Sequence, residues 1–152
     1  MATVYLGIGS NIGDKEFNCA EALEQLSKSE NVKMLDRSQL YVTEPVGGPP
    51  QENYLNGVVK IETERPPEDL LECAKDIEKN MGREDSEVRN SPRVIDIDIL
   101  LYDDKVIISE DLTIPHPDMH KRSFVLEGLS EIAPEVVHPA LGRTIKELYS
   151  EL

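Results

Sequence analysis

Val94-Ile95-Asp96-Ile97-Asp98-Ile99-Leu100-Leu101 is the stretch on which the fold turns. Its alternation of aspartate with isoleucine has a period of two, so it reads as a strand with Ile95, Ile97 and Ile99 on one face and Asp96 and Asp98 on the other. The strand is placed at residues 93–102. Upstream, Pro66 and Pro67 open a helix whose apolar stripe is Leu70, Leu71, Ala74, Ile77 and Met81, with Gly82 as its stop. Before that helix, Leu55, Gly57, Val59 and Ile61 alternate with Asn56, Val58, Lys60 and Glu62, which predicts a strand over 54–63; another is expected over 32–42. The run from Thr3 to Gly9 is short, apolar and β-prone. After the turn Ser10-Asn11-Ile12-Gly13, Asp14 is suited to cap a helix over 15–27 carrying Phe17, Ala20, Leu23 and Leu26. The order β-α-β-β-α-β predicts an α+β, ferredoxin-like sandwich, an antiparallel sheet with both helices on one face. Residues 106–152 add helices near 123–130 and 144–152.

With 152 residues the chain suits one domain with a sizeable core, so a single domain over 1–152 is expected. The formal charge of −14, from 30 acidic against 16 basic residues, argues against a generic nucleic-acid or anionic-membrane surface. An anionic ligand must then be met locally, by metal ions and a few well-placed arginines. Cys19 and Cys73 form no CxxC pair, so packing roles and a reduced, cytoplasmic setting are expected. No apolar run approaches the ~20 residues of a membrane span, and a monomer is the expected state.

Asp96 and Asp98 on one strand face are about 7 Å apart at Cα, two steps of the strand. Like charges so placed repel unless a cation sits between them, and hard oxygen donors suit Mg²⁺. On these residues alone, a solvated strand face is the simpler reading. Their surroundings favour the first: Arg83, Arg89 and Arg93 precede the strand, while His116, Lys121 and Arg122 follow it. Carboxylates bracketed by guanidinium groups are what phosphoryl transfer needs, although Glu84, Asp85 and Glu87 could make the arginines ordinary surface pairs. Two motifs fail. Gly7-Ile8-Gly9-Ser10-Asn11-Ile12-Gly13 is GxGxxxG rather than the dinucleotide GxGxxG, with its glycines assigned to the strand-to-helix turn, and no GxxxxGK(S/T) phosphate loop occurs. Neither a GxSxG elbow nor an HExxH pair occurs.

Five blocks, in order, resemble the 6-hydroxymethyl-7,8-dihydropterin pyrophosphokinase family of folate biosynthesis. They are Gly9-Ser10-Asn11-Ile12-Gly13-Asp14, Tyr41-Val42-Thr43-Glu44-Pro45-Val46-Gly47, Tyr54-Leu55-Asn56, Ser91-Pro92-Arg93-Val94-Ile95-Asp96-Ile97-Asp98-Ile99-Leu100, and Ile114-Pro115-His116-Pro117 with Arg122-Ser123-Phe124. The resemblance implies transfer of pyrophosphate from ATP to the pterin hydroxymethyl group, with two Mg²⁺ held by Asp96 and Asp98. It implies that Arg83, Arg93, His116 and Arg122 meet the phosphates, and that Glu78, Ile99 and Thr113 lie around the nucleotide. The pterin would lie between Tyr54 and Phe124, with Asn56 and the backbone near Thr43 and Val46 at its polar edge. The chain departs from the common pattern at Asn90 and Ser91, where many members have Trp-Gly, and at Glu44, a frequent proline position. The long loops, 43–53 and 83–92, are expected to close over substrate. Two rivals remain: a metabolite-sensing ferredoxin-like module without catalysis, and a magnesium-dependent nucleotide hydrolase acting without pterin.

Overall fold

The structure, a computed structural model, describes residues 1–44, 50–82 and 94–152. Its elements begin β1 (Ala2–Ser10), α1 (Lys15–Lys28), β2 (Val32–Arg37), β3 (Tyr41–Thr43), β4 (Tyr54–Thr63), α2 (Pro67–Asn80) and β5 (Asp96–Tyr102). The main sheet runs β2-β4-β1-β5, with β3 also on β4, and every pairing is antiparallel. This is the ferredoxin-like α+β fold. A two-stranded ribbon follows, β6 (Ile107–Ile108) with β7 (Thr113–Ile114), then helices α3 (Ser123–Ile132) and α4 (Ile145–Ser150). Among the described residues no helix is long and apolar enough to cross a membrane.

Local chemistry sets the boundaries. The Asp14 carboxylate accepts from Phe17 N at 3.1 Å and caps α1, while Gly13 takes the positive φ of 73° that the turn requires. Pro67 begins α2, where a missing N–H is harmless, and Gly82 at φ 91° follows its end. The strand expected over 32–42 is instead two. At the break, Ser38 N donates to Val58 O at 2.8 Å and Ser38 Oγ accepts from Val58 N at 2.9 Å. The hydroxyl thus takes a ladder partner's place while the chain steps aside.

One face of the sheet packs Leu6, Ile8, Val59, Ile61, Ile97 and Ile99 against α1 and α2. On α1 the buried residues are Cys19, Ala22 and Leu26, whereas Phe17 is 61% exposed. The three-residue steps of the expected stripe explain this correction. Nine residues at about 100° each carry Phe17 half a turn away from Leu26. Both thiols are free and buried, and burial pushes that of Cys19 up to about 11. The opposite face packs Tyr5, Val58, Leu100 and Leu101 against α3 and α4. Tyr5 pairs with Leu101 but Leu6 with Ile99, a bulge that leaves Leu100 as an extra residue and turns both leucines toward α3. α3 covers only part of this face, and the uncovered part is a cleft.

Candidate active site

The cleft is lined by Gly7, Gly9, Thr43, Tyr54, Asn56, Val58, Asp96, Asp98, Leu100, Arg122 and Phe124, among others. Its floor is three strands wide. Pairing aligns Asp96 with Gly9 and Gly9 with Asn56, and in the next row but one Asp98 with Gly7 and Gly7 with Val58. Two strand spacings put about 10 Å between the carboxylate wall and the Asn56 wall. Between them the central strand has no side chains, because Gly7 and Gly9 both face this way while Leu6 and Ile8 face the core. A Cβ at position 9 would stand 2.5 Å from Asn56 Oδ1 and 3.5 Å from Tyr54 Cδ1. The assignment of these two glycines to the turn is therefore corrected. Gly13 serves the turn, and Gly7 and Gly9 open the floor. The signal was present in the sequence: glycine at i and i+2 strips one face of an otherwise apolar strand.

Asn56 is oriented by its neighbour: its Nδ2 donates to Thr43 Oγ1 across the β3–β4 pair. The amide oxygen is thus directed over Gly9. α3 brings the other ring. Gly128 lies so close to β4 that a Cβ there would meet Val58 Cγ2 at 2.7 Å, and Phe124, one turn earlier on the same side of the helix, is held over the cleft. Tyr54 and Phe124 thus both line the space above the glycine floor, a place for a flat heteroaromatic ligand.

On the other wall, Asp96 and Asp98 project from β5 into the cleft, and Ile97 and Ile99 are buried in the helix-side core. Among the described residues no group of three or more His, Cys, Asp or Glu side chains could hold a metal ion. A pair of carboxylates suffices for Mg²⁺, which completes its shell with water and phosphate oxygens. The donor set therefore fits that ion. His116 N donates to Leu100 O at 2.9 Å, which ties the following segment to the end of β5. Its Nδ1 accepts from Asp118 N at 3.2 Å, so the neutral ring carries its proton on Nε2. Burial and the nearby Arg122 hold the imidazole pKa below its ordinary value, against the pull of Asp118 and Asp96. Arg122, which lines the cleft, pairs with Asp118 at 3.7 Å.

Seven of the expected site residues thus meet in one cleft: Thr43, Tyr54, Asn56, Asp96, Asp98, Arg122 and Phe124. His116 is near enough to two of them, Arg122 and Asp96, for their charges to bear on its ring. Ile99 is 4% exposed with its side chain in the core, and Thr113 lies in the β6–β7 ribbon. Glu78 is buried under β5, where its carboxylate accepts from Ile97 N at 2.8 Å. Val46, Arg83 and Arg93 lie outside the described residues, as do most of the two expected lid loops.

The sequence matches the 7,8-dihydro-6-hydroxymethylpterin-pyrophosphokinase family over residues 5–134. A 2-amino-4-hydroxy-6-hydroxymethyldihydropteridine pyrophosphokinase from Aquifex aeolicus is 42% identical over 99% of this chain and 92% of its own length. The folic acid synthesis protein fol1 of Schizosaccharomyces pombe is 45% identical over 97% of this chain, which spans only 20% of that protein. A solved HPPK-DHPS of Plasmodium falciparum, with pteroate, superposes with a TM-score of 0.80 at 18% identity, over 99% of this chain and 42% of that one; it speaks to the fold alone. With the matched region running from β1 through α3 and the relatives agreeing along its whole length, the chain belongs to the 7,8-dihydro-6-hydroxymethylpterin-pyrophosphokinase family.

Proposed function

We propose that this chain transfers the pyrophosphate group of ATP to the hydroxymethyl oxygen of 6-hydroxymethyl-7,8-dihydropterin, a step of folate biosynthesis, with Mg²⁺ at Asp96 and Asp98. The observation that carries the reading is the facing of two unlike walls across a floor without side chains, paired carboxylates on one side and Asn56 with two aromatic rings on the other. The pterin ring stacks between Tyr54 and Phe124, and the Asn56 amide, set by Thr43, pairs with its polar edge. Seated there, the hydroxymethyl group points along the floor toward Asp96 and Asp98.

The pterin oxygen attacks the β-phosphorus. A new O–Pβ bond forms, the bond from Pβ to the oxygen bridging the α-phosphate breaks, AMP leaves with that electron pair, and the hydroxyl proton passes to solvent. Two Mg²⁺, when bound, would screen the phosphates and stabilise charge on the transferred group. Asp96 and Asp98 would hold and orient those ions from β5. Arg122 offers its guanidinium to phosphate oxygens, and neutral His116 donates from Nε2. Arg83 and Arg93 enter the reading through sequence resemblance. No strong general base is required in a loose phosphoryl transition state. In this reading the protein works as a cytoplasmic monomer with both cysteines reduced.

The test is a nucleotide product assay with MgATP, with and without the hydroxymethyl pterin. AMP formed only when pterin is present is the expected result. ADP, or nucleotide turnover indifferent to pterin, overturns the assignment.

A further inference from the structure

The residue that most needs a reason is Glu78. It lies near the end of α2 at 6% exposure, among the buried Leu70, Cys73, Ala74 and Ile77. A buried carboxylate is costly, and an apolar residue of similar volume would fill the same space without that cost. Packing alone does not explain it. Its Oε2 accepts from Ile97 N at 2.8 Å, and Ile97 is the residue between Asp96 and Asp98. β5 stands at the end of the sheet order, paired with β1 on one side only among the described residues. The Ile97 N–H is directed to the helix carboxylate rather than into the β1 ladder, so one amide of the strand's outer edge is held from α2.

We infer that Glu78 is a positioning residue for the two carboxylates: by gripping Ile97 N it fixes the height and twist of β5 where Asp96 and Asp98 leave the strand. The inference rests on the reading of that pair as the Mg²⁺ ligands. Charges on neighbouring alternate positions share one backbone, so a shift of Ile97 displaces both together. Groups that orient metal ligands from behind are worth roughly 10- to 100-fold in metal affinity. α2 thereby links the helix-side core to the chemistry on the sheet's other face.

The experiment compares Glu78→Leu, Glu78→Gln and Asp98→Ala by Mn²⁺ binding, read from the paramagnetic resonance of free Mn²⁺ with a non-hydrolysable ATP analogue present, alongside thermal melting. Gln keeps a carbonyl oxygen for Ile97 N but no charge. Glu78→Leu is expected to bind Mn²⁺ at least tenfold more weakly, and Glu78→Gln to stay within about threefold of the unchanged protein. A folded Glu78→Leu that binds Mn²⁺ normally overturns the inference, and so does a folded Glu78→Gln that loses tenfold, since the role would then be charge and not grip. Where Glu78→Leu fails to fold, Glu78→Met, closer to glutamate in shape and likewise without an oxygen acceptor, takes its place with the same expected loss and the same overturning result. If Asp98→Ala leaves Mn²⁺ binding intact, the metal reading itself has failed, and the positioning role falls with it.

Discussion

The two walls of the cleft are anchored in opposite ways. The carboxylate wall is one strand whose alternate residues, Ile97 and Ile99, are fixed in the core, with a buried bond from Glu78 behind it. The Asn56 wall depends on β3, three residues long, with exposed Val42 at its centre and ties that reach solvent. Gln39 N and Tyr41 OH both donate to Glu131 Oε2 of α3, at 2.8 and 2.7 Å. Desolvation, and then that carboxylate, push the Tyr41 hydroxyl up to about 12, so it remains a donor at any physiological pH. Buried anchoring makes a wall rigid; exposed hydrogen bonds, each worth about 1 kcal/mol net, let it adjust. The proposed metal and phosphate chemistry needs the first, and the proposed seat for a flat ring beneath an aromatic cover suits the second.

Breaking the rigid wall at its chemistry should have the largest effect. Asp98→Ala is expected to lower kcat by roughly three orders of magnitude, the several kcal/mol of charge stabilisation that bound metal supplies, with a melting temperature little changed. Steady-state kinetics against melting curves checks this. A loss under tenfold would mean that Asp98 is only a polar residue on a solvated face.

Next in size is the floor on which both walls depend. In Gly9→Ala the new methyl meets the far end of the Asn56 side chain, which can rotate away, so stability should fall by less than about 1 kcal/mol. Rotation removes the amide oxygen from its place over the floor. Pterin affinity should therefore drop by roughly tenfold or more, measured by fluorescence titration, with nucleotide affinity nearly unchanged. Equal losses for both ligands would show that the floor serves the whole cleft rather than the pterin end.

The adjustable wall should answer more mildly. Glu131→Ala removes two acceptor contacts from the β3 segment, and the expected outcome is a rise of twofold to tenfold in KM for pterin with kcat within a factor of two. A fall in kcat without any change in KM would place the effect of β3 in the chemical step and dissolve the contrast between the walls.

The rigid wall was also the more legible one in the sequence. Strict alternation from Ile95 to Ile99 can be satisfied in only one way once a core exists, so the facing of Asp96 and Asp98 followed from period alone. Residues 54–63 and the Pro67 start of α2 were equally plain, because alternation and proline act locally. What escaped was set by contacts distant in sequence. The β2–β3 break carries neither glycine nor proline and exists because the Ser38 hydroxyl can replace a ladder partner on β4. Gly7 and Gly9 acquire their meaning only when β4 and β5 flank them, and the true stripe of α1 needs a helix position finer than three-residue steps can give.

The smallest effect tests a place away from both walls. His138 is 4% exposed, and its Nδ1 accepts from Ala140 N and Leu141 N at 3.2 and 3.1 Å, so protonation there would break both bonds. Burial, then the neighbouring His120, hold its pKa below the ordinary 6.5. An unfolded chain regains a histidine of ordinary pKa, so below about pH 6.5 the unfolded state binds more protons than the folded one. Stability from this group is thus complete above that pH and is lost as pH falls toward the depressed folded value, with a slope no steeper than about 1.4 kcal/mol per pH unit for one proton. His116 titrates in the same direction, so the diagnostic quantity is the difference in slope between the unchanged protein and His138→Gln in urea melts from pH 7.5 to 5.5. A shallower slope in the variant is expected. Identical slopes would mean that the turn at 138–142 absorbs the proton without loss, and that the acid sensitivity of the fold resides at His116, near Asp96 of the rigid wall.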